Sequence, residues 1–440
     1  MSPDSYRGEF HVTIENKLIH MKVRGLRWYI IGLVCLATII NYIDRSALAI
    51  MWPDISSDLD MDKNDYALIL NIFLVAYAVG QSVSGKMFDK IGTKAGFVVS
   101  ITVWGLATAL HGLARGVLSF SFFRVLLGLG EAGNWPGAVK SNAEWFPAKE
   151  RALAQGIFNS GAAMGSIVAP PLIAIVWVAI GWEMTFVLLG ILGLIWVIPW
   201  VIYNKALPAK HAWITEEERN YIMAGMQQKE DEAEKPGLSM SAILSHRESW
   251  AVLASRFFVE PIWWLFVGWM PIYLADVYGF NVKEIGFFAW VPYVGAAIGS
   301  LAGGYFSGRL MINGASVDKA RKRTILVGCV IMLLGLIATI LAGDTPIKFV
   351  GIVAFVLFGF QFVISNIQTI PSDLFSGKSV GSLAGLGGTV GIFSVIIMNF
   401  LVPVITENYS YTPIFVMIAV FVPLGYLSIN FFAKEIKSIQ

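Results

Sequence analysis

Twelve stretches of mostly apolar residues run along this chain, and each is long enough to cross a bilayer, which takes about 20 residues as a helix. They lie at 27–52, 65–86, 95–114, 117–140, 151–178, 183–203, 250–276, 284–311, 323–342, 347–371, 379–405 and 411–433. Hydrocarbon offers no water to backbone N–H and C=O groups, so such segments span as helices. The composition agrees: 14% of the residues are charged and mean hydropathy is +0.67, against about 25% charged in soluble domains. The expected fold is an all-α membrane protein of twelve transmembrane helices in two six-helix bundles.

A polar stretch at 204–249 splits the helices six and six. The reading is an N-terminal segment 1–26, a bundle 27–203, a linker 204–249, a bundle 250–433 and a tail 434–440. Within the linker, ITEEERNYIMAGM reads as a short surface helix, and Thr215 with Glu218 has capping-box spacing. With both termini in the cytoplasm, the cytoplasmic segments hold 25 of the 32 Lys and Arg. Four lie outside (Lys63, Arg115, Lys283, Lys348) and three within the membrane (Arg45, Arg124, Arg256). That bias is the orientation signal of a multi-pass protein, here expected in a bacterial inner membrane. The N-terminus shows no cleavable signal pattern. Cys35 and Cys329 both fall in apolar runs, so reduced, buried thiols are expected.

The charges inside helices carry the functional signal. Asp44 and Arg45 sit in LATIINYIDRSALAI, and Arg124 and Glu131 in FFRVLLGLGEAGNW. A charge at membrane depth costs at least about 2.5 kcal/mol, so it is seldom there without a task. Each arginine can offer a bidentate fork to a carboxylate. The competing reading is structural, Arg45 paired with Asp44 and Arg124 with Glu131. Adjacent helical residues point about 100° apart, which disfavours the first pair. Residues seven apart share a face but lie about 10 Å apart along the axis, which strains the second. Glu131 and Asp44 are the candidate proton carriers. Tyr42 and Tyr77 are candidate partners for substrate hydroxyls, with interhelical packing as the equal alternative. Trp264 and Asn159 are further substrate candidates, and Gln361 and Asn366 weaker ones. Arg256 and Glu260, four apart, read as an i,i+4 ion pair near the cytoplasmic surface.

Other chemistries find no support. His11, His20, His111, His211 and His246 are scattered without metal-site spacing. There is no P-loop, and GLGG at 385–388 has no strand before it and reads as close helix packing. No cofactor is expected, and protons are the expected coupling ion. The expected partners are a small organic anion, protons and the bilayer. A monomer is expected, and no nucleic acid.

The segment GKMFDKIGTK resembles the G-x-x-x-D-[RK]-x-G-x-[RK] loop of the major facilitator superfamily, with Gly85, Asp89, Lys90, Gly92 and Lys94 matching. The resemblance makes that loop a conformational latch, with Gly85 and Gly92 allowing a tight turn. GYFSGRL, from Gly304, is a fainter second copy without the acid. Arg124 followed by Gly128 resembles the family's fourth-helix R-x-x-x-G motif. NYIDR, the Arg124/Glu131 spacing and EWFPAKERALAQGIFN resemble the anion:cation symporter branch. That branch includes galactonate and hexuronate transporters, sialin and the vesicular glutamate transporters.

Within the branch GLRWY, AEWFPAKER, IVAPPL, RFFVEPIWW and VYGFNVKEIGFFAWVP are most similar to bacterial hexuronate transporters. Galactonate carriers tend to have a Gln near Gly161–Ala162 and an Asn near Gly391, and both are missing here. The resemblance implies a proton-coupled symporter importing a hexuronate such as glucuronate or galacturonate, with Arg45 as substrate anchor. The alternatives are a galactonate, sialate or other organic-anion carrier of the branch, or an anion exchanger. A membrane-embedded sensor or enzyme is the reading of a different class, and the linker carries no catalytic constellation to support it.

Overall fold

A computed structural model describes residues 22–227, 238–342, 345–375 and 378–439. His11, His20 and the KEDEAEKPG run of the linker lie outside the described residues, as does most of the segment 1–26.

The twelve spanning helices run as follows. α1 is Leu26–Leu59. Lys63–Leu110 is one helical run broken at Gly92, giving α2 (63–91) and α3 (93–110). α4 is Val117–Glu131, resumed as Asn134–Trp145. Ala148–Tyr203 is broken at Gly181, giving α5 (148–180) and α6 (182–203). α7 is Arg247–Tyr278. α8 is Val282–Phe288 continued by Val291–Ile312. α9 is Val317–Ala342, and α10 is Pro346–Ile367 continued by Ile370–Leu374. α11 is Lys378–Asn408 and α12 is Thr412–Phe432.

By length and apolarity alone, ten described helices qualify as spans. The shortfall of two has a physical cause. Residues 154–203 count once although Gly181 turns the chain between two helices. α4 is interrupted after Glu131 and carries charge.

One local expectation is corrected. The Gly85–Lys94 segment is not a loop through Gly85, because α2 continues as helix to residue 91. Only Gly92 turns the chain, at φ 79°, a left-handed conformation that glycine adopts without steric cost. Beside the turn, Lys140 donates to the Phe88 carbonyl (2.8 Å) and Thr93 to Glu144 (2.7 Å), so α4 of the same bundle holds it. Lys90 is exposed, and the Asp89 side chain lies outside the described residues.

The bundles repeat one packing plan. α1 lies along α5 and α2 along α4, and α7 lies along α11 and α8 along α10 in the same way. The bundles meet through α1 with α7, α2 with α11 and α5 with α8.

The two ends of the molecule differ. At the linker end, the Val23 N–H donates to the Trp213 carbonyl (2.8 Å). The Glu218 carboxylate accepts from the free backbone N–H groups of Leu26 and Arg27 and from the Arg27 guanidinium. An acid there satisfies the orphan donors that open α1 and meets the positive end of its dipole. Glu218 N–H still donates to the Thr215 hydroxyl (3.3 Å), so the expected capping box is half formed, its acid serving α1 instead. The other half of the linker belongs to the second bundle: Leu238 N–H donates to Ser379 (3.0 Å).

At the far end the bundles are bonded to each other. Lys63 pairs with Asp276 (2.7 Å), which also accepts from the Tyr411 hydroxyl (2.6 Å). Asn64 donates to Glu407 (3.1 Å), and the Tyr66 hydroxyl donates to the Gly268 carbonyl. Deeper in, Asn399 accepts from the Trp269 indole (3.1 Å) and donates to Asn71 (2.9 Å).

Candidate functional site

Asn41 and Arg45 are one turn apart on α1, and their face meets α4. Arg45 Nε and Nη2 both donate to Glu131 Oε2, at 3.2 and 2.8 Å, and Nη2 also reaches Asn41 Oδ1 at 3.4 Å. The side chains of this pair are 7% and 0% exposed. Neither expected structural pair forms. Arg45 crosses to Glu131, 86 residues away, instead of pairing with Asp44, and Arg124 makes no salt bridge to Glu131. Helical geometry accounts for both outcomes, since neighbours diverge and residues seven apart are too distant for a direct bond.

Close approach of α4 to its neighbours makes the Arg45–Glu131 pair possible. A Cβ on Gly128 would sit 2.7 Å from the Phe73 carbonyl oxygen and 3.0 Å from the Tyr77 nitrogen, so α2 lies directly on α4 there. That contact explains the R-x-x-x-G spacing: the glycine brings the rings of α2 against the arginines.

Four rings surround the Arg45 guanidinium. Its Cζ is 5.0 Å from the Tyr77 ring, 5.2 Å from Tyr42, 5.4 Å from Phe73 and 5.5 Å from Trp264. Ring faces attract cations at this range. Tyr42, Tyr77 and Trp264 are thus brought together, and Trp264 comes from α7 of the other bundle. Phe73 and Asn41 are site residues that the sequence reading missed. A signal existed for each: Phe73 is one turn before Tyr77, and Asn41 one turn before Arg45.

Behind the pair lies a second group. Arg124, Asp44 and His111 are buried, and Arg124 Cζ stands 5.7 Å from the Phe73 ring. His111 Nδ1 donates to the Ala107 carbonyl at 2.7 Å, and its ring stacks on Phe186. Among the described residues, both Asp44 oxygens, Arg124 Nε and Nη2, His111 Nε2 and Glu131 Oε1 have no hydrogen-bond partner. An unmade buried hydrogen bond costs about 1–3 kcal/mol, more at a charge. So dense a set is poor architecture for stability and suited to groups that change partner or protonation.

The remaining candidates sit elsewhere. Asn159 is exposed and accepts from Gln155 one turn back (3.1 Å), apart from the Arg45 cage. Asn366 is tied to the Gly303 carbonyl (3.3 Å) and to Arg321 (3.2 Å), a packing role. Arg256 does pair with Glu260, Nη2 to Oε2 at 2.9 Å. Arg256 is nine residues into α7, about 14 Å from the helix start. Cys35 and Cys329 are free and buried. Among the described residues there is no cluster of three or more His, Cys, Asp or Glu suited to a metal.

Residues 34–391 match the family model of the Major Facilitator Superfamily. The chain is 34% identical to the hexuronate transporter of Escherichia coli (strain K12), over 93% of this chain and 94% of that one. It is 34% identical to the galacturonate transporter of Dickeya chrysanthemi, over 71% of this chain and 90% of that one. Among solved structures, a bacterial homologue of the human lysosomal transporter Spinster, in its inward-facing and occupied conformation, matches with a TM-score of 0.71. The match covers 93% of this chain and 97% of that one, at 15% identity, and speaks for the fold alone. The chain is a transporter, not an enzyme, and it belongs to the major facilitator superfamily.

Proposed function

We propose that this protein is a proton-coupled symporter that imports a sugar acid, a hexuronate such as glucuronate or galacturonate, by alternating access. The observation that carries the reading is the Arg45–Glu131 pair inside a cage of three aromatic residues from one bundle and Trp264 from the other. Rings that close over a cation from both bundles make a site whose halves part when the bundles move. The two curated relatives with uronate names support the substrate class.

The geometry supplies a coupling scheme. A substrate carboxylate and Glu131 are alternative partners for Arg45. When the substrate takes the guanidinium, Glu131 loses its counter-charge in a desolvated place, and proton uptake becomes favourable. When the substrate leaves, Arg45 returns to Glu131 and the proton is released. Asp44, buried and without a hydrogen-bond partner among the described residues, is the second carrier. The linker end faces the cytoplasm in this reading, so the far-end bonds close the outward side.

The test is uptake of labelled glucuronate by proteoliposomes containing the purified protein, with and without an inward proton gradient. Gradient-stimulated accumulation is expected, with galacturonate competing and glucose not. A neutral sugar would strand a desolvated arginine at a cost of several kcal/mol, and about 1.4 kcal/mol is a tenfold change. Equal competition by glucose would overturn the anion reading.

A further inference from the structure

Among the described residues, Arg256 and Glu260 are the only charged ones deep inside the helices of the second bundle. All others in α7–α12 lie within about two turns of a helix end. A buried ion pair is weak evidence for stability, since well-packed apolar residues often serve as well or better. At membrane depth it calls for a role. The pair occupies the face of α7 that also carries Trp264, since 256, 260 and 264 are spaced by four. That face looks across at Arg45: the Trp264 ring is 5.5 Å from the Arg45 guanidinium. Glu260 is thus one turn of α7, about 5.4 Å, beyond the cage.

α11 is cut away opposite the pair. A Cβ on Gly391 would meet Glu260 Cγ at 3.0 Å and Cβ at 3.1 Å, and one on Gly387 would meet Arg256 Cδ at 3.3 Å. A side chain at position 391 would press on Glu260, which lies against it. The polar group of this half of the cleft comes from α7. Both Arg256 bonds, from Nε (3.1 Å) and Nη2 (2.9 Å), end on the same carboxylate oxygen, Oε2. Oε1 is left to accept and Nη1 to donate, and the two side chains stay 14% and 13% exposed.

We propose that Arg256 and Glu260 form the second half of the substrate site, one that reads the hydroxyl end of a monocarboxylic sugar acid and rejects a second carboxylate. The proposal rests on the sugar-acid reading of the Arg45 site. The closed pair has no net charge and keeps donors on the guanidinium and an acceptor at Oε1, which is what a hydroxyl needs. A carboxylate placed there would face the Glu260 carboxylate at short range with its cation already taken. An aldarate carries a carboxylate at each end, so it would meet Arg45 with one and be repelled with the other. A uronate presents hydroxyls instead.

The test is competition against labelled glucuronate uptake, comparing unlabelled galacturonate with galactarate. In the wild type the uronate is expected to compete at least about tenfold better. Glu260→Gln keeps the shape and frees the Arg256 charge, so the preference should shift toward the aldarate by about tenfold or more. Arg256→Gln should weaken uronate competition with no gain for the aldarate. A wild type that takes both acids equally overturns the proposal without any variant, as does a preference that stays within twofold in Glu260→Gln. A wild type that takes up no uronate at all overturns the sugar-acid reading instead.

Discussion

The two bundles share one packing plan but differ at their centres. The first holds four charges, of which only Arg45 and Glu131 are bonded to each other, while both Asp44 oxygens and Arg124 Nε and Nη2 lack a hydrogen-bond partner among the described residues. The second holds one closed pair, Arg256–Glu260. A repeated fold thus need not repeat its chemistry. In the coupling scheme we propose, the groups of the first bundle change partner and the second offers a fixed neutral surface against which they work.

The strongest way to break this contrast is to remove Arg45. Arg45→Ala should lower glucuronate uptake by about a hundredfold or more, a loss of about 3 kcal/mol at 1.4 kcal/mol per decade. It also leaves Glu131 buried and unpaired, which costs about 3–5 kcal/mol of stability. Arg45→Gln combined with Glu131→Gln should restore thermal stability but not uptake. If the double variant transports, the pair is structural and the contrast fails.

Glu131→Gln sharpens the division of labour, because it mimics the protonated acid. Accumulation driven by the gradient should vanish, while exchange of internal for external substrate persists. Accumulation that survives in the Gln variant would move the obligatory proton to Asp44.

A smaller effect is expected at the far end. The side chains of Lys63 and Asp276 are 26% and 31% exposed, and such partly exposed pairs contribute about 0.2–1 kcal/mol. Lys63→Ala should therefore shift the balance toward far-end opening by about fivefold or less. Labelling of a cysteine introduced in the cleft, read with a reagent added from outside, measures it.

The smallest effect concerns the linker. His211 Nε2 donates to the Tyr203 carbonyl (3.0 Å) while Nδ1 accepts from the Trp213 N–H (3.2 Å). Burial lowers its pKa in the folded protein. The unfolded value is about 6.5, so its contribution is full above that pH and is lost as pH falls below it. Hydrogen exchange at Trp213 should accelerate between about pH 6 and pH 5 in the wild type. His211→Gln should flatten that pH dependence.

Much of this was readable in the chain because membrane helices are local objects. Twelve apolar runs, the linker and the intrahelical charges are all properties of consecutive residues. Tyr42, Tyr77 and Trp264 could be named as candidates for the same reason. Partner choice was not legible, since Arg45 and Glu131 are far apart in sequence and meet only where α1 packs on α4. His111 looked like one of five scattered histidines until the turn after α3 placed it among the rings of Phe120, Phe123 and Phe186. Gly85 was taken as part of a turn, but a helix end depends on where φ turns positive, and that is Gly92.

The far-end bonds have a consequence for populations. Each is a modest interaction, about 0.5–1.5 kcal/mol net for an ordinary hydrogen bond. Together they set a gap of a few kcal/mol between the arrangement seen here and one in which that end has parted. A gap of that size leaves the minor form at about 0.1–10%, and domain motions of this kind exchange in microseconds to milliseconds. The parted form is then visited continually, with or without cargo. A ligand arriving from that side need not pry the bundles apart; it captures a state that thermal motion has already supplied.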